Sequence, residues 1–256
     1  MTSNTTPTDL AGRRAILGAA LAWVALPGSG GAAAQPAPAA ATPDANTPLP
    51  RRQQAIAPIG AAMALGDMPR LAAALDEGLD AGLAISDAKE ILVQLYAYAG
   101  FPRSLNALGE LMKVLDARRQ RGVQDAPGRA PGPVPTGKEL LALGTANQTR
   151  LSGAPVRGPL FEFAPAIDEY LKTHLFGDIF GRDNLDWRSR ELATVGALAA
   201  MPGVEPQLQA HMRISMNVGL TAQQLRSVAD TLSERGQAEA ARRARAALEK
   251  AAPSGK

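Results

Sequence analysis

The sequence predicts an all-α protein built from two tandem helical repeats. Apolar residues recur at the helical spacing almost throughout, and no stretch sustains a period-two alternation, so no sheet of consequence is expected. Glycine and proline fall between the periodic segments rather than inside them. An internal repeat is also present: LAAALDEGLDAGLAISDAKEILVQL at 71–95 aligns without a gap with LQAHMRISMNVGLTAQQLRSVADTL at 208–232. Leu71 pairs with Leu208, Gly82-Leu83 with Gly219-Leu220, and Leu95 with Leu232. A repeat sets the architecture before any other signal is read. At one aligned position the first copy has Ala74 and the second His211.

The elements follow in order. A first helix is expected from Arg52 to Leu65, interrupted near Pro58, and Gly66-Asp67-Met68-Pro69 turns the chain. The next helix runs from Leu71 to Ala81 and is closed by Gly82, which suits a left-handed C-terminal cap. Ser86 is a natural N-cap for the following helix, with Asp87 and Glu90 in its first turn. That helix ends near Gly100, and Pro102 opens another that reaches about Arg121. GVQDAPGRAPGPVPT at 122–136 is a Pro-Gly linker. Further helices are expected at Lys138 to Ala146 and Ala164 to Gly177. Leu185-Asp186 starts a long helix, Trp187 to Ala200, which Met201-Pro202-Gly203 breaks. Then come Glu205 to Val218, a Thr221-capped helix to Leu232, and an Ala-Arg-rich helix from Gln237 to Ala251. The first repeat therefore occupies 51–121, the linker 122–137, and the second repeat with its C-terminal helix 138–251.

Residues 1–34 have the features of an export signal. Arg13-Arg14, twin-arginine-like, precede an apolar run from Ala15 to Leu26 that is short for a membrane span, and Ala32-Ala33-Ala34 suits cleavage before Gln35. The expected location is periplasmic or secreted, with no membrane contact after cleavage; anchorage to the inner membrane by an uncleaved signal is the alternative. Residues 35–50, rich in Ala, Pro and Thr, are expected to form an extended tether.

Removing 1–34 lowers the formal charge from +3 to +2. The basic residues are scattered apart from Arg242, Arg243 and Arg245, and nucleic-acid binding needs a concentrated basic face. The chain has no cysteine, which rules out disulfides and thiol chemistry. Two histidines, His174 and His211, without an HExxH or similar pattern do not make a metal site, and no cofactor is expected. Alanine dominates both repeats, so each unit buries modest apolar area and a homo-oligomer is expected.

The stretch FGDIFGRDNLDWRSRELATVGALAAMPGVEPQLQAHMRISMNVGLTAQQL (176–225), together with GLDAGLAISDAKEILVQLYAYAGFPRSLNAL (78–108), resembles the carboxymuconolactone decarboxylase family. Arg190, Gln207-Leu208, His211 and Gly219-Leu220-Thr221 carry one part of that pattern; Glu90 and Tyr98-Ala99-Gly100-Phe101-Pro102 carry the other. The resemblance implies an alkylhydroperoxidase D-like helical bundle, a small-molecule substrate and an assembly of the trimer or hexamer kind. Thiol members of that fold have a CxxC just before the equivalent histidine. Here Val204 and Gln207 stand in those places, so a cysteine-dependent peroxidase is not expected.

The pattern is split between the copies, since Ser227 aligns with Glu90. A composite site follows, with His211, Glu90 and Tyr98 as catalytic candidates and Arg190, Gln207 and Gln94 as substrate-binding candidates. An imidazole exchanges protons near neutral pH, a carboxylate can orient it, and a phenol can stabilise an oxyanion. Arg190 could bind a substrate carboxylate bidentately or pair with an acid across the helix packing. Glu191 lies near the proton-relay glutamate of the thiol members, with no role assigned here. His174 reads as a surface or interface residue. The expected activity is cofactor-free acid–base decarboxylation of a small carboxylated or lactone-like molecule; the alternative is a non-catalytic oligomeric scaffold or small-molecule binder of the cell envelope.

Overall fold

A computed structural model describes residues 47–252. The export signal and residues 35–46 of the tether lie outside the described residues. The described chain is all-helical: α1 (Arg51–Gln54), α2 (Ile56–Leu65), α3 (Met68–Asp80), α4 (Ile85–Gln94), α5 (Tyr96–Ala99), α6 (Phe101–Gln120), α7 (Gly137–Ser152), α8 (Pro159–Phe163), α9 (Pro165–Tyr170), a π-helix (Leu171–Ile179), α10 (Trp187–Ala200), α11 (Glu205–Asn217), α12 (Ala222–Glu234) and α13 (Ala238–Ala251).

The centre of the bundle is the crossing of α2 and α10. α2 is apolar throughout and α10 carries its polar residues towards its start; every residue from Ile56 to Ala64 and from Ser189 to Ala200 is buried. Two glycines set how closely they approach. A Cβ on Gly60 would overlap the Ala193 carbonyl oxygen, and one on Gly196 would overlap the Ala57 carbonyl oxygen. The backbones therefore touch at two reciprocal points, and α3, α4, α11, α12 and α13 pack round this axis.

The two aligned stretches fold alike. α3–α4 and α11–α12 are each a helix–turn–helix, turned by Gly82 at φ 96° and Gly219 at φ 93°. In both, the residue after the glycine donates its N–H five residues back, Leu83 to Gly78 (2.9 Å) and Leu220 to Ser215 (3.0 Å). Only glycine holds that left-handed backbone without strain.

Several boundaries differ from expectation for physical reasons. The first helical break falls at Ala55; Pro58 sits inside the first turn of α2, where its missing N–H has no intrahelical partner to lose. Ser86 is not the N-cap of α4 but lies within it. Ala84 takes the cap position, and its N–H donates to Asp87 Oδ2 at 2.9 Å. The Ile85 and Ser86 amides donate to the Ala126 and Pro127 carbonyls of the linker, so distant chain satisfies this helix end. The linker is pinned again where buried Arg118 meets Asp125 together with Asp76 and Asp80 of α3. The end of the tether is likewise held: Leu49 is buried, and Gln224 Nε2 donates to the Thr47 carbonyl at 2.9 Å.

The helix expected at Lys138 to Ala146 continues to Ser152, and the one expected at Ala164 to Gly177 becomes α9 and the π-helix, preceded by α8. α7 lies against the π-helix through Gly144, where a Cβ would overlap the Lys172 carbonyl oxygen.

Candidate functional site

Residues of α5, α10 and α11 meet at the histidine. Asp186 caps α10 by accepting from Ser189 N–H at 2.9 Å, which fixes the register that turns Glu191 inward. Pro206 in the first turn of α11 and Gly219 after its end delimit the helix that carries His211. Glu191 and His211 are both buried, with His211 8% exposed, and His211 Nδ1 lies 2.7 Å from Glu191 Oε2. With Glu191 as the carboxylate, Nδ1 carries the proton and donates it, leaving Nε2 as the nitrogen for other partners. The second oxygen of Glu191 is buried with no hydrogen-bond partner among the described residues.

Tyr98 packs edge-on to the imidazole, ring centroids 5.4 Å apart at 80°. Its hydroxyl is enclosed and makes no hydrogen bond among the described residues. Burial, reinforced by the negative charge of Glu191 and only partly offset by the neighbouring Thr194 hydroxyl and by Arg190, pushes the phenol well above its usual range, so it stays a neutral O–H donor. Ser215, one turn beyond His211 on α11, is buried with its hydroxyl also unpartnered.

The other candidates are brought together elsewhere. Glu90 accepts from Arg182 Nε (2.7 Å) and Nη2 (3.0 Å), from Asn184 Nδ2 (3.0 Å) and from Arg190 Nη2 (2.9 Å). Burial raises the Glu90 pKa, but these partners outweigh it and hold the carboxyl below the usual range. Arg190 is 0% exposed. Its guanidinium also donates to Gln94 Oε1 (3.0 Å) and to the carbonyls of Leu185 (3.2 Å) and Arg182 (2.9 Å). Burial lowers the Arg190 pKa against the opposing pull of Glu90. Gln94 completes the network by donating to the Arg190 carbonyl and Thr194 Oγ1, both at 2.9 Å. Arg190 is thus enclosed by protein partners, the second of the two roles the sequence allows it, and offers no open fork to a ligand. Gln207 is exposed on α11 one turn before His211.

Tyr98 and His211 therefore meet within one chain, but the carboxylate at the imidazole is Glu191, not Glu90. The sequence offers a signal for this, since Glu191 stands beside Arg190 in the same motif. It gives no local sign that Glu90 would be consumed by Arg182 and Arg190. His174 lies on the exposed face of the π-helix with Nδ1 2.7 Å from Asp178 Oδ2. Among the described residues no group of three or more His, Asp or Glu is arranged to hold a metal ion.

No curated protein matches this chain. The model of the carboxymuconolactone decarboxylase family matches residues 165–250, from α9 to α13, a span that contains both Glu191 and His211. Over these residues the chain, all-helical where it is described, is similar to the carboxymuconolactone decarboxylase family.

Proposed function

We propose that this protein is a cofactor-free acid–base lyase that removes carbon dioxide from a small carboxylated or lactone-like substrate. The observation that carries this reading is the buried 2.7 Å pair between Glu191 and His211, with the unpartnered Tyr98 hydroxyl beside it. Glu191 orients the imidazole and balances its charge when Nε2 is protonated. The substrate's carbon–carboxylate bond breaks, carbon dioxide leaves, and the electron pair passes into an adjacent carbonyl as an enolate. Tyr98 donates a hydrogen bond to that oxygen, and His211 Nε2–H protonates the carbon; solvent then restores the proton on His211. Arg190 belongs to the supporting core in this scheme, together with Glu90 and Gln94.

The test is carbon dioxide release from a panel of small keto and lactone acids, run beside solvent-deuterium exchange at the carbon next to the carbonyl. Release that disappears in His211→Ala establishes the lyase. Exchange without release limits the chemistry to proton transfer. Neither reaction with any substrate, in a protein shown to be folded, overturns the reading.

The same proposal includes assembly, export and duplication. Apolar side chains stand in solvent on α6 (Phe101, Leu105, Met112) and on α8–α9 (Leu160, Phe163 at 88% exposure, Ile167). Exposed large apolar side chains on two elements support a homo-oligomer, trimeric or hexameric, which light scattering would test. Arg13-Arg14 and the apolar run after them support export with removal of the signal, and the N-terminal sequence of the mature protein tests that. The matching glycine turns at Gly82 and Gly219 support two degenerate copies of one ancestral unit. No helix among the described residues is long and apolar enough to cross a membrane.

A further inference from the structure

A concave site lies away from His211, between α7, the segment that follows it, and the start of the π-helix. Its cavity measures about 320 Å³, at the small end of ligand sites. Gln148 lines it from α7, is 1% exposed, and has an amide nitrogen without a hydrogen-bond partner among the described residues. Asp168 lines it from α9. One carboxylate oxygen holds the Lys172 ammonium, and the other is buried and unpartnered. The wall of the site thus holds one unmet donor and one unmet acceptor, both closed to solvent, groups a folded protein rarely leaves without a partner.

The charges at the cavity point to the occupant. Lys172 and Asp168 neutralise each other, while Arg157 and Glu162 make no ion pair among the described residues. One open cation and one open anion favour a ligand carrying both signs. Phe161 supplies an apolar wall. We propose that this cavity binds a free α-amino acid. Its carboxylate pairs with Arg157 and, as the Gln148 amide turns into the cavity, takes a hydrogen bond from Nε2; its ammonium donates to Glu162 and to the free Asp168 oxygen once that carboxylate turns toward it, and an apolar side chain lies against Phe161. The proposal is independent of the reaction at His211.

Isothermal titration of the full chain with L-leucine and L-phenylalanine tests it, using N-acetyl-leucine, which lacks the ammonium, and leucinamide, which lacks the carboxylate, as controls. One molecule of free amino acid is expected to bind per chain, with both blocked forms at least about tenfold weaker. Gln148→Met and Asp168→Asn should weaken binding by a similar factor. Should either buried variant fail to fold, the exposed variants Arg157→Gln and Glu162→Gln carry the same expectation. Absence of binding by either amino acid, equal binding of the blocked forms, or full affinity in folded variants overturns the proposal.

Discussion

Glu191 and His211 approach to 2.7 Å across the α10–α11 interface, twenty residues apart in the chain, with only the rim of the imidazole reaching the surface. The carboxylate fixes which ring nitrogen is available, so orientation and tautomer are set by one contact. His211→Ala should lower turnover of a processed substrate by about 10²–10⁴-fold with the fold intact by circular dichroism. Glu191→Gln, which keeps a hydrogen-bond acceptor but not the charge, should fall between that variant and wild type. Equal activity in all three proteins would separate the pair from the chemistry.

Removing Arg190 should act on stability. It is the buried hub joining Glu90, Gln94 and two backbone carbonyls, so Arg190→Met leaves acceptors unmet in the core. A loss of about 3–5 kcal/mol in urea unfolding is expected, and whatever folded fraction remains should keep its KM. A raised KM without destabilisation would return Arg190 to substrate binding.

Acid should expose the role of Glu90. Its folded-state pKa lies below the ordinary value, so its contribution is complete above about pH 4.3, the unfolded range, and drains away as pH falls through the lowered value. The urea midpoint should therefore fall as the pH drops below about 4.3. In Glu90→Gln the midpoint should start lower at neutral pH and fall less over the acid window.

Gly196→Ala places a methyl group against the Ala57 carbonyl oxygen at the crossing of the central helices. Backbone cannot rotate away as a side chain would, so a cost of at least about 1–3 kcal/mol is expected by chemical denaturation. Gly109 on α6, where a Cβ meets nothing, is the control: Gly109→Ala should be neutral or stabilising.

Local signals made most of the fold legible. Asp186 and Met201-Pro202-Gly203 mark both ends of α10, and Gly82 and Gly219 mark two turns, because capping is a matter of a few adjacent residues. The π-helix was not legible, since the close approach beside it depends on Gly144, far upstream on α7. The start of α4 likewise depends on distant chain: its amides are satisfied by Ala126 and Pro127, so Ser86 is not needed as a cap. At the site, the residue types were readable and their partners were not. Two glutamates were available to the histidine, and only packing decides that Arg182 claims Glu90 and leaves Glu191.

A stretch composed like a spacer here works as a clasp. Ala126 and Pro127 close the end of a helix forty residues earlier, and Asp125 locks to Arg118. A protease cut between Ala126 and Arg129 would release no freely swinging halves, and the nicked chain should still melt as one unit. Lengthening this stretch with glycine and serine after Pro127 should be tolerated, whereas deleting Asp125 to Pro127 should fray α4 and disturb Glu90 with it.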